Sequence, residues 1–464
     1  MKKKITYSVV APIYNEIEII DEFCKRVTEV MKSIGKMWEL VLVDDGSSDG
    51  STERILELAS VNEHLRPVIF ARNFGHQIAV TAGLDYTRGE AVTIIDADLQ
   101  DPPEVILDLI EKYGREAVLH AMEDLLDYGE RMALAEIRKL PQGTYETEDV
   151  VEDDGFGNGP FTVKVRVTID GDRVIADFTG TSPQAQGPIN CSFTGLATGA
   201  RCLFKAITNP EIPANGGTFR PLEVICPEGT ILSAVDPAPV SLYYESLIAA
   251  IDTMWKALAP VLPDRLPAGH QRSVGATFIS GIHPDSDALF VMGEPLVGGW
   301  GASPGLDGDS GQFCCGNGET FNIPVELAES RYGFEIDQYA FHTQDGGAGE
   351  FTGGRGVVLD YRITADEAFM TYAATRTEVR PWSLAGGFEG STNYAELIRR
   401  DGSRERFTMC TRARALKGET FRLVTATGGG YGDPMNRPKE KVMEDIRDGY
   451  FTTDQADRWY GVES

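Results

Sequence analysis

Ala91-Val92-Thr93-Ile94-Ile95-Asp96-Ala97-Asp98 decides how the front of this 464-residue chain folds. A short β-branched apolar run reads as a strand, and this one breaks abruptly into alternate carboxylates. The same pattern of buried strand and polar cluster occurs three times upstream. Residues 5–11 lead into Pro12-Ile13-Tyr14-Asn15-Glu16, residues 40–43 into Asp44-Asp45-Gly46-Ser47-Ser48-Asp49, and residues 68–71 into Arg72-Asn73-Phe74-Gly75. Helical stretches separate them. Residues 17–34 place Ile20, Phe23, Val27, Val30 and Met31 on one face, Ser51 or Thr52 caps a helix through residue 58, and residues 78–86 form a third. Alternation of strands and helices predicts a parallel sheet in the order 3-2-1-4 with right-handed crossovers. Ligands of such sheets bind at the carboxyl ends of the strands, where all four polar clusters fall.

The chemistry expected there follows from charge. Asp96 and Asp98 can share a hard divalent cation, Mg²⁺ or Mn²⁺, with a diphosphate. The cation then neutralises a leaving nucleoside diphosphate. Asp44 or Asp45 accepts hydrogen bonds from a base or ribose, and Arg72 pairs with phosphate through its fork of donors. Taken singly, an Asp-Gly-Ser is more often a turn, Asp96 a strand-end cap, and Arg72 a surface ion-pair residue.

Beyond residue 112 the composition changes. Residues 1–112 hold 6 of the 50 Gly and 4 of the 24 Pro, so turns and short strands concentrate in residues 113–464. Residues 114–140 read as helical. Then Val163, Val165, Val167 and Ile169 alternate with polar residues before the turn Asp170-Gly171-Asp172, the period of a half-buried strand. The fold expected overall is α/β followed by mainly β (α+β). The β part should form one or two sandwich-like layers with a few helices. Residues 298–301 and 307–311 read as tight turns, or as backbone N–H groups offered to an anion. Trp300 reads as a core anchor. His270 and His283 read as structural or exposed, and His342 with Asp345 makes a weak metal pair. The neighbours Cys314 and Cys315 lack metal-ligand spacing, and no base for a thiol nucleophile is identifiable.

A net charge of −28 argues against a nucleic-acid footprint and against adhesion to anionic membranes. No apolar run approaches the ~18–20 residues of a transmembrane segment, and the basic start is followed by no small-residue cleavage site. Seven scattered Cys point to reduced thiols and a cytoplasmic location.

The four front clusters, down to Asp98-Leu99-Gln100-Asp101-Pro102-Pro103, resemble the family-2 glycosyltransferases that move sugars to polyprenyl phosphates. The resemblance covers residues 5–110. It implies a nucleotide-diphospho-sugar site built by Pro12, Tyr14, Asn15, Glu16, Asp44, Asp45, Arg72 and Asp96, with Asp45 near the base. It also implies a metal held by Asp96 and Asp98. That family continues past the Asp-x-Asp strand with acceptor-binding elements, a catalytic base and usually membrane helices. Here the resemblance stops near Tyr113, and sugar transfer is expected to be absent or very slow.

From residue 114 the chain resembles the hydantoinase B/oxoprolinase family. The carrying segments include Leu125-Leu126-Asp127-Tyr128-Gly129-Glu130-Arg131, Asp177-Phe178-Thr179-Gly180-Thr181-Ser182, Asn322-Ile323-Pro324-Val325-Glu326 and Gly428-Gly429-Gly430-Tyr431-Gly432-Asp433-Pro434. The resemblance implies one subunit of an ATP-dependent amidohydrolase acting on hydantoins or 5-oxoproline, with ATP handled by a hydantoinase A-type partner. The block carries no Walker-type loop, consistent with that division. The family's front portion, with its metal-binding look, is replaced here by the glycosyltransferase-like block. Two portions are therefore expected, 1–112 and 113–464, in a chimera-like chain. The readings are a hydrolase subunit, a sugar transferase, or an inactive chimera. An oligomer is expected, because a core without its front portion exposes apolar surface.

Overall fold

The computed structural model describes residues 5–99, 102–105, 107, 115–317 and 320–462. The chain divides into two compact units, Met1–Leu125 and Leu126–Ser464. The seam expected at 112/113 lies outside the described residues.

In the first unit, β1 (Tyr7–Ile13), α1 (Ile20–Ser33), β2 (Trp38–Asp44), α2 (Ser51–Val61), β3 (Leu65–Ile69), α3 (His76–Asp85) and β4 (Ala91–Ile94) follow one another. The four strands are parallel in the order β3-β2-β1-β4, as the sequence predicts. Val10 lies between Val41 and Ile94 in the register. Strands β1 and β2 are buried on both faces, which explains their nearly continuous apolar runs; the buried exceptions within them, Ser8 and Glu39, are hydrogen-bonded to each other. The amphipathic face of α1 packs Phe23, Val27, Val30 and Met31 onto the sheet core.

Two local expectations change. The third strand runs over Leu65–Ile69 rather than 68–71 and contains Pro67. It is an edge strand, where a missing N–H is tolerated. Helix α2 is capped by Gly50 at φ +100°, not by the hydroxyl of Ser51 or Thr52. Ser51 is already helical, and its Oγ donates to Asp49 and accepts from the Glu16 N–H. At the opposite edge, Val92 and Ile94 of β4 are 39% and 48% exposed, as are Ile78 and Leu84 of α3 at 50% and 41%.

Helix α4 (Arg115–Ile137) contains the division at Leu125/Leu126. In the second unit, β5 (Gly143–Val151), β6 (Phe161–Asp170), β7 (Arg173–Asp177) and β8 (Leu222–Ile225) form a sheet in that order. The β6–β7 hairpin turns at Asp170-Gly171-Asp172 as expected. Helices α5 (Phe193–Ile207) and α6 (Tyr243–Leu258) share its core through Leu196, Leu203, Phe204, Met254 and Trp255.

A two-sheet sandwich follows. One sheet has β9 (Ala276–Ile282), β10 (Leu289–Glu294), β13 (Glu367–Ala373) and β16 (Met409–Leu416) in the order β10-β9-β13-β16. The other takes β11 (Phe334–Phe341), β12 (Val357–Ile363), β14 (Tyr394–Ile398), β15 (Arg404–Phe407) and β17 (Thr420–Val424) in the order β11-β12-β17-β14-β15. Ile279, Phe290 and Met292 from the first meet Leu359, Tyr361, Leu397, Phe421 and Leu423 from the second in one core. The outer face of the first sheet leaves Phe278, Ile282, Leu289 and Val291 exposed.

The glycine-rich segments are neither simple turns nor anion cradles. The amides of Gly298, Gly299, Trp300, Gly308 and Gly311 donate to the carbonyls of Gln312, Ala426, Asp309, Thr352 and Arg355. These are backbones stacked on backbones. A Cβ on Gly428 would overlap the Trp300 carbonyl, and one on Gly299 the Gly354 carbonyl. Main chain on main chain cannot relax as side chains do. Gly428→Ala is therefore expected to cost at least about 3 kcal/mol. Denaturant unfolding of the variant checks this; a midpoint within error of the parent's would contradict it.

Candidate functional site

The carboxyl ends of β1, β2 and β4, with the loop after β3, enclose a cleft of about 260 Å³. Pro12, Tyr14, Glu16, Asp45, Asn73, His76, Asp96 and Asp98 line it. The loops are sewn together by their own polar groups. Asn15 adopts φ +57°, accepts from the Ser48 N–H at 2.9 Å, and donates its N–H to Ser47 Oγ at 2.9 Å. Ile17 N–H donates to Asp49 Oδ2 at 3.1 Å. Asp44 is fully buried, accepting from the Ser47 N–H and the Thr52 hydroxyl. Asp45 accepts from the backbone N–H groups of Phe74 at 2.7 Å and Gly75 at 2.9 Å, so it fixes the third loop. Gly46, at φ +73°, is needed here because any Cβ would strike the Arg72 backbone.

After β4 the alternation continues: Ile95 and Ala97 are buried, while Asp96 and Asp98 are exposed towards the cleft. Glu16 is pushed above the usual carboxylate range by burial and by the charges of Asp98 and Asp49. Of the residues expected at the site, Pro12, Tyr14, Glu16, Asp45, Asp96 and Asp98 share this cleft. Asn15 and Asp44 brace the loops instead. Arg72 turns onto the Phe74 ring, 4.2 Å from its centroid. His76 and Asn73 line the cleft but were not among the expected residues. His76 Nε2 lies 3.9 Å from Asp96 Oδ1. Only the step from the third strand's loop into α3 could have pointed to it.

Among the described residues no group of three or more His, Cys, Asp or Glu converges as a ready-made metal cage. Asp96 and Asp98 nevertheless supply the hard oxygen donors that Mg²⁺ or Mn²⁺ favours. A cation there would take its remaining ligands from the diphosphate and water, the usual manner of Mg²⁺.

The second unit holds a buried charged cluster that the sequence did not disclose. Asp149 of β5 accepts from Arg272 Nη1 at 3.1 Å and Arg376 Nη2 at 2.9 Å, and Lys256 Nζ lies 3.2 Å away. Arg376 also reaches Asp252 at 2.5 Å. Burial favours the neutral acid at Asp149, but Arg272, Arg376 and Lys256 outweigh it and hold the carboxyl well below its ordinary range. His270 is fully buried between the rings of Trp255 and Trp300, at 5.2 and 5.1 Å. Its Nδ1 is 3.4 Å from Asp252, and its Nε2 accepts the Cys315 N–H at 3.2 Å. Trp300, Cys314 and Cys315 line a neighbouring cavity of about 730 Å³. Burial pushes the Cys315 thiol well above its ordinary range, which disfavours the thiolate that a nucleophile needs. All seven cysteines are free thiols. His342 is half-buried against the Thr425 carbonyl, and Asp345 pairs with Arg458, so neither is placed as a metal ligand.

The glycosyl transferase family 2 model matches residues 8–133, and the hydantoinase B/oxoprolinase model matches residues 103–434. Over 372 residues the chain is 32% identical to a putative B-type subunit of a D-/L-hydantoinase from Pseudomonas sp. (strain NS671), covering 77% of this chain and 62% of the relative. Over 113 residues it is 50% identical to an uncharacterized glycosyltransferase of Bacillus subtilis (strain 168), covering 24% of this chain and 35% of the relative. The solved ATP-dependent caprolactamase from Pseudomonas jessenii superposes with a TM-score of 0.72 at 27% identity, over 89% of this chain and 69% of that one. The chain thus spans about three fifths of the first relative's length and about a third of the second's. No helix among the described residues is long and apolar enough to cross a membrane.

Glu245, fully buried beside this cluster, accepts from Ser273, Thr375 and the Val274 N–H. Burial raises its carboxyl to about 7 against those bonds. The folded value is above the unfolded one of about 4.3, so the acid's contribution is complete below that value. It is lost as pH rises towards 7, because the unfolded chain releases the proton first. Relative to the parent, Glu245→Gln should therefore gain about 2–3 kcal/mol between about pH 5 and about pH 8. Denaturant titrations of both proteins at the two pH values check this; a pH-independent difference would refute it.

Proposed function

As the chain belongs to the hydantoinase B/oxoprolinase family, we propose that its larger unit acts as one subunit of an ATP-dependent amidohydrolase for cyclic amides, of the hydantoin or 5-oxoproline class. The observation that carries this reading is the continuous family match over residues 103–434. An unactivated lactam resists water, and phosphorylating its oxygen makes a better electrophile. ATP for that step comes from a hydantoinase A-type partner, since the sequence holds no Gly-x-x-x-x-Gly-Lys-Ser/Thr loop. The ATP dependence and the subunit designation in the relatives' names support this division.

The cleft favours a second activity in the same chain: binding of a nucleoside-diphospho-sugar. Asp96 and Asp98 would hold Mg²⁺ or Mn²⁺ against the diphosphate, with Pro12, Tyr14, Glu16 and Asp45 around the nucleoside. The cation neutralises the diphosphate's charge. This chain's residues then position the donor: Asp45 fixes the third loop, and Asn15 and Asp44 brace the first and second.

Two experiments test these readings. Purified chain with ATP, Mg²⁺ and hydantoin or 5-oxoproline should release no phosphate or ring-opened product until an A-type partner is added. Turnover by the chain alone would remove the partner requirement, and none with a partner would remove the hydrolase reading. Calorimetry should show weak uridine diphosphate binding that requires Mn²⁺ and falls at least about tenfold in Asp98→Ala, the loss of a charged contact. Binding without the cation, or undiminished in the variant, would sink the site.

A further inference from the structure

The cleft that receives the diphosphate is lined by four carboxylates, Glu16, Asp45, Asp96 and Asp98, so a bare polyanion is repelled there. Its charge must be met by a cation and by whatever N–H donors face it. The sequence nominates Arg72 for this task. In the structure the Arg72 guanidinium lies over the Phe74 ring, donates to the Asn73 carbonyl at 3.4 Å, and is not part of the lining. His76 stands in its place. It is the only side chain among the described lining residues that can carry a positive charge.

Three features place His76 there. It opens α3 directly after Gly75, whose φ of +99° turns the chain into the helix. Asp45 holds Phe74 and Gly75 by their N–H groups, with its own side chain only 3% exposed. The imidazole itself is about half exposed, with Nε2 3.9 Å from Asp96 Oδ1. That separation is too long for a hydrogen bond, so Nε2 is not consumed by Asp96. It is short enough that an oxygen of a diphosphate bound beside Asp96 comes within reach of the ring.

We propose that His76, positioned by Asp45, donates a ring N–H to the diphosphate of the bound nucleotide, the role the sequence assigns to Arg72. This rests on the nucleotide-diphosphate reading of the cleft. His76 touches the ligand; Asp45 acts through it as a positioning residue. The carboxylates attract the cation and repel a bare diphosphate, so the diphosphate binds as its cation complex, to which the ring N–H adds one charge-assisted hydrogen bond.

The test is calorimetry of the full chain with uridine diphosphate and Mn²⁺, with thermal unfolding recorded for each variant. His76→Ala should weaken binding about tenfold or more, the scale of one hydrogen bond to a charged group. His76→Gln keeps a side-chain N–H and should recover to within about threefold of the parent. Arg72→Ala should change affinity less than about twofold, as an exposed charge off the lining. Unchanged affinity in His76→Ala, with the parent binding, overturns the proposal and leaves the nucleotide site intact. Equal losses in His76→Ala and His76→Gln at unchanged melting temperature overturn the donor role, and a larger loss in Arg72→Ala returns the role to Arg72. No binding by the parent removes the nucleotide reading and this proposal with it.

Discussion

The second unit hangs on one carboxylate. Asp149, on β5, stands between two arginines that are themselves buried, Arg272 just before β9 and Arg376 just after β13. Lys256 and Asp252 bring α6 into the same cluster. One side chain thereby ties the helix-covered sheet to the first sheet of the sandwich. Both arginines sit at φ +57°, a conformation that L-residues avoid at a cost of roughly 1–2 kcal/mol each. Their guanidinium bonds offset that strain. Such a network adds little net stability over apolar packing, but removing one partner strands the others and costs about 3–5 kcal/mol. Its geometry ties these layers together through named partners, since each buried charge needs the others to be paired.

Much of the first unit was legible because its two central strands, β1 and β2, are buried on both faces. The runs before Pro12, Asp44 and Asp96 carry almost no polar interruption, and each polar cluster marks a strand's end. Which of two neighbours faces the cleft was not legible. Asp44 and Asp45 are adjacent and chemically identical, yet one is consumed by Ser47 and Thr52 while the other reaches the cleft. Side-chain direction at a strand's exit depends on loop geometry, which periodicity does not encode. Arg72 lies off the lining for a similar reason: an aromatic face two residues away holds it.

In the second unit the alternation of Val163, Val165, Val167 and Ile169 identified a strand directly. The buried cluster left no such trace. Asp149, Asp252, Arg272 and Arg376 are far apart in sequence, and each looks like an ordinary surface charge when read alone. The glycine-rich segments misled for another reason. Glycine signals close approach, but the sequence does not say whether a ligand or another stretch of backbone approaches.

That stacking of backbone on backbone has a thermodynamic consequence. Where Gly299, Gly353, Gly354 and Gly428 meet neighbouring carbonyls, the interior is made of peptide groups rather than hydrocarbon. Exposing apolar surface raises the heat capacity on unfolding, whereas exposing polar surface lowers it. A domain with this much peptide in its interior gains less heat capacity per residue than one filled by side chains. Its stability curve is correspondingly flatter, with resistance to heat and to cold both extended from the same peak stability.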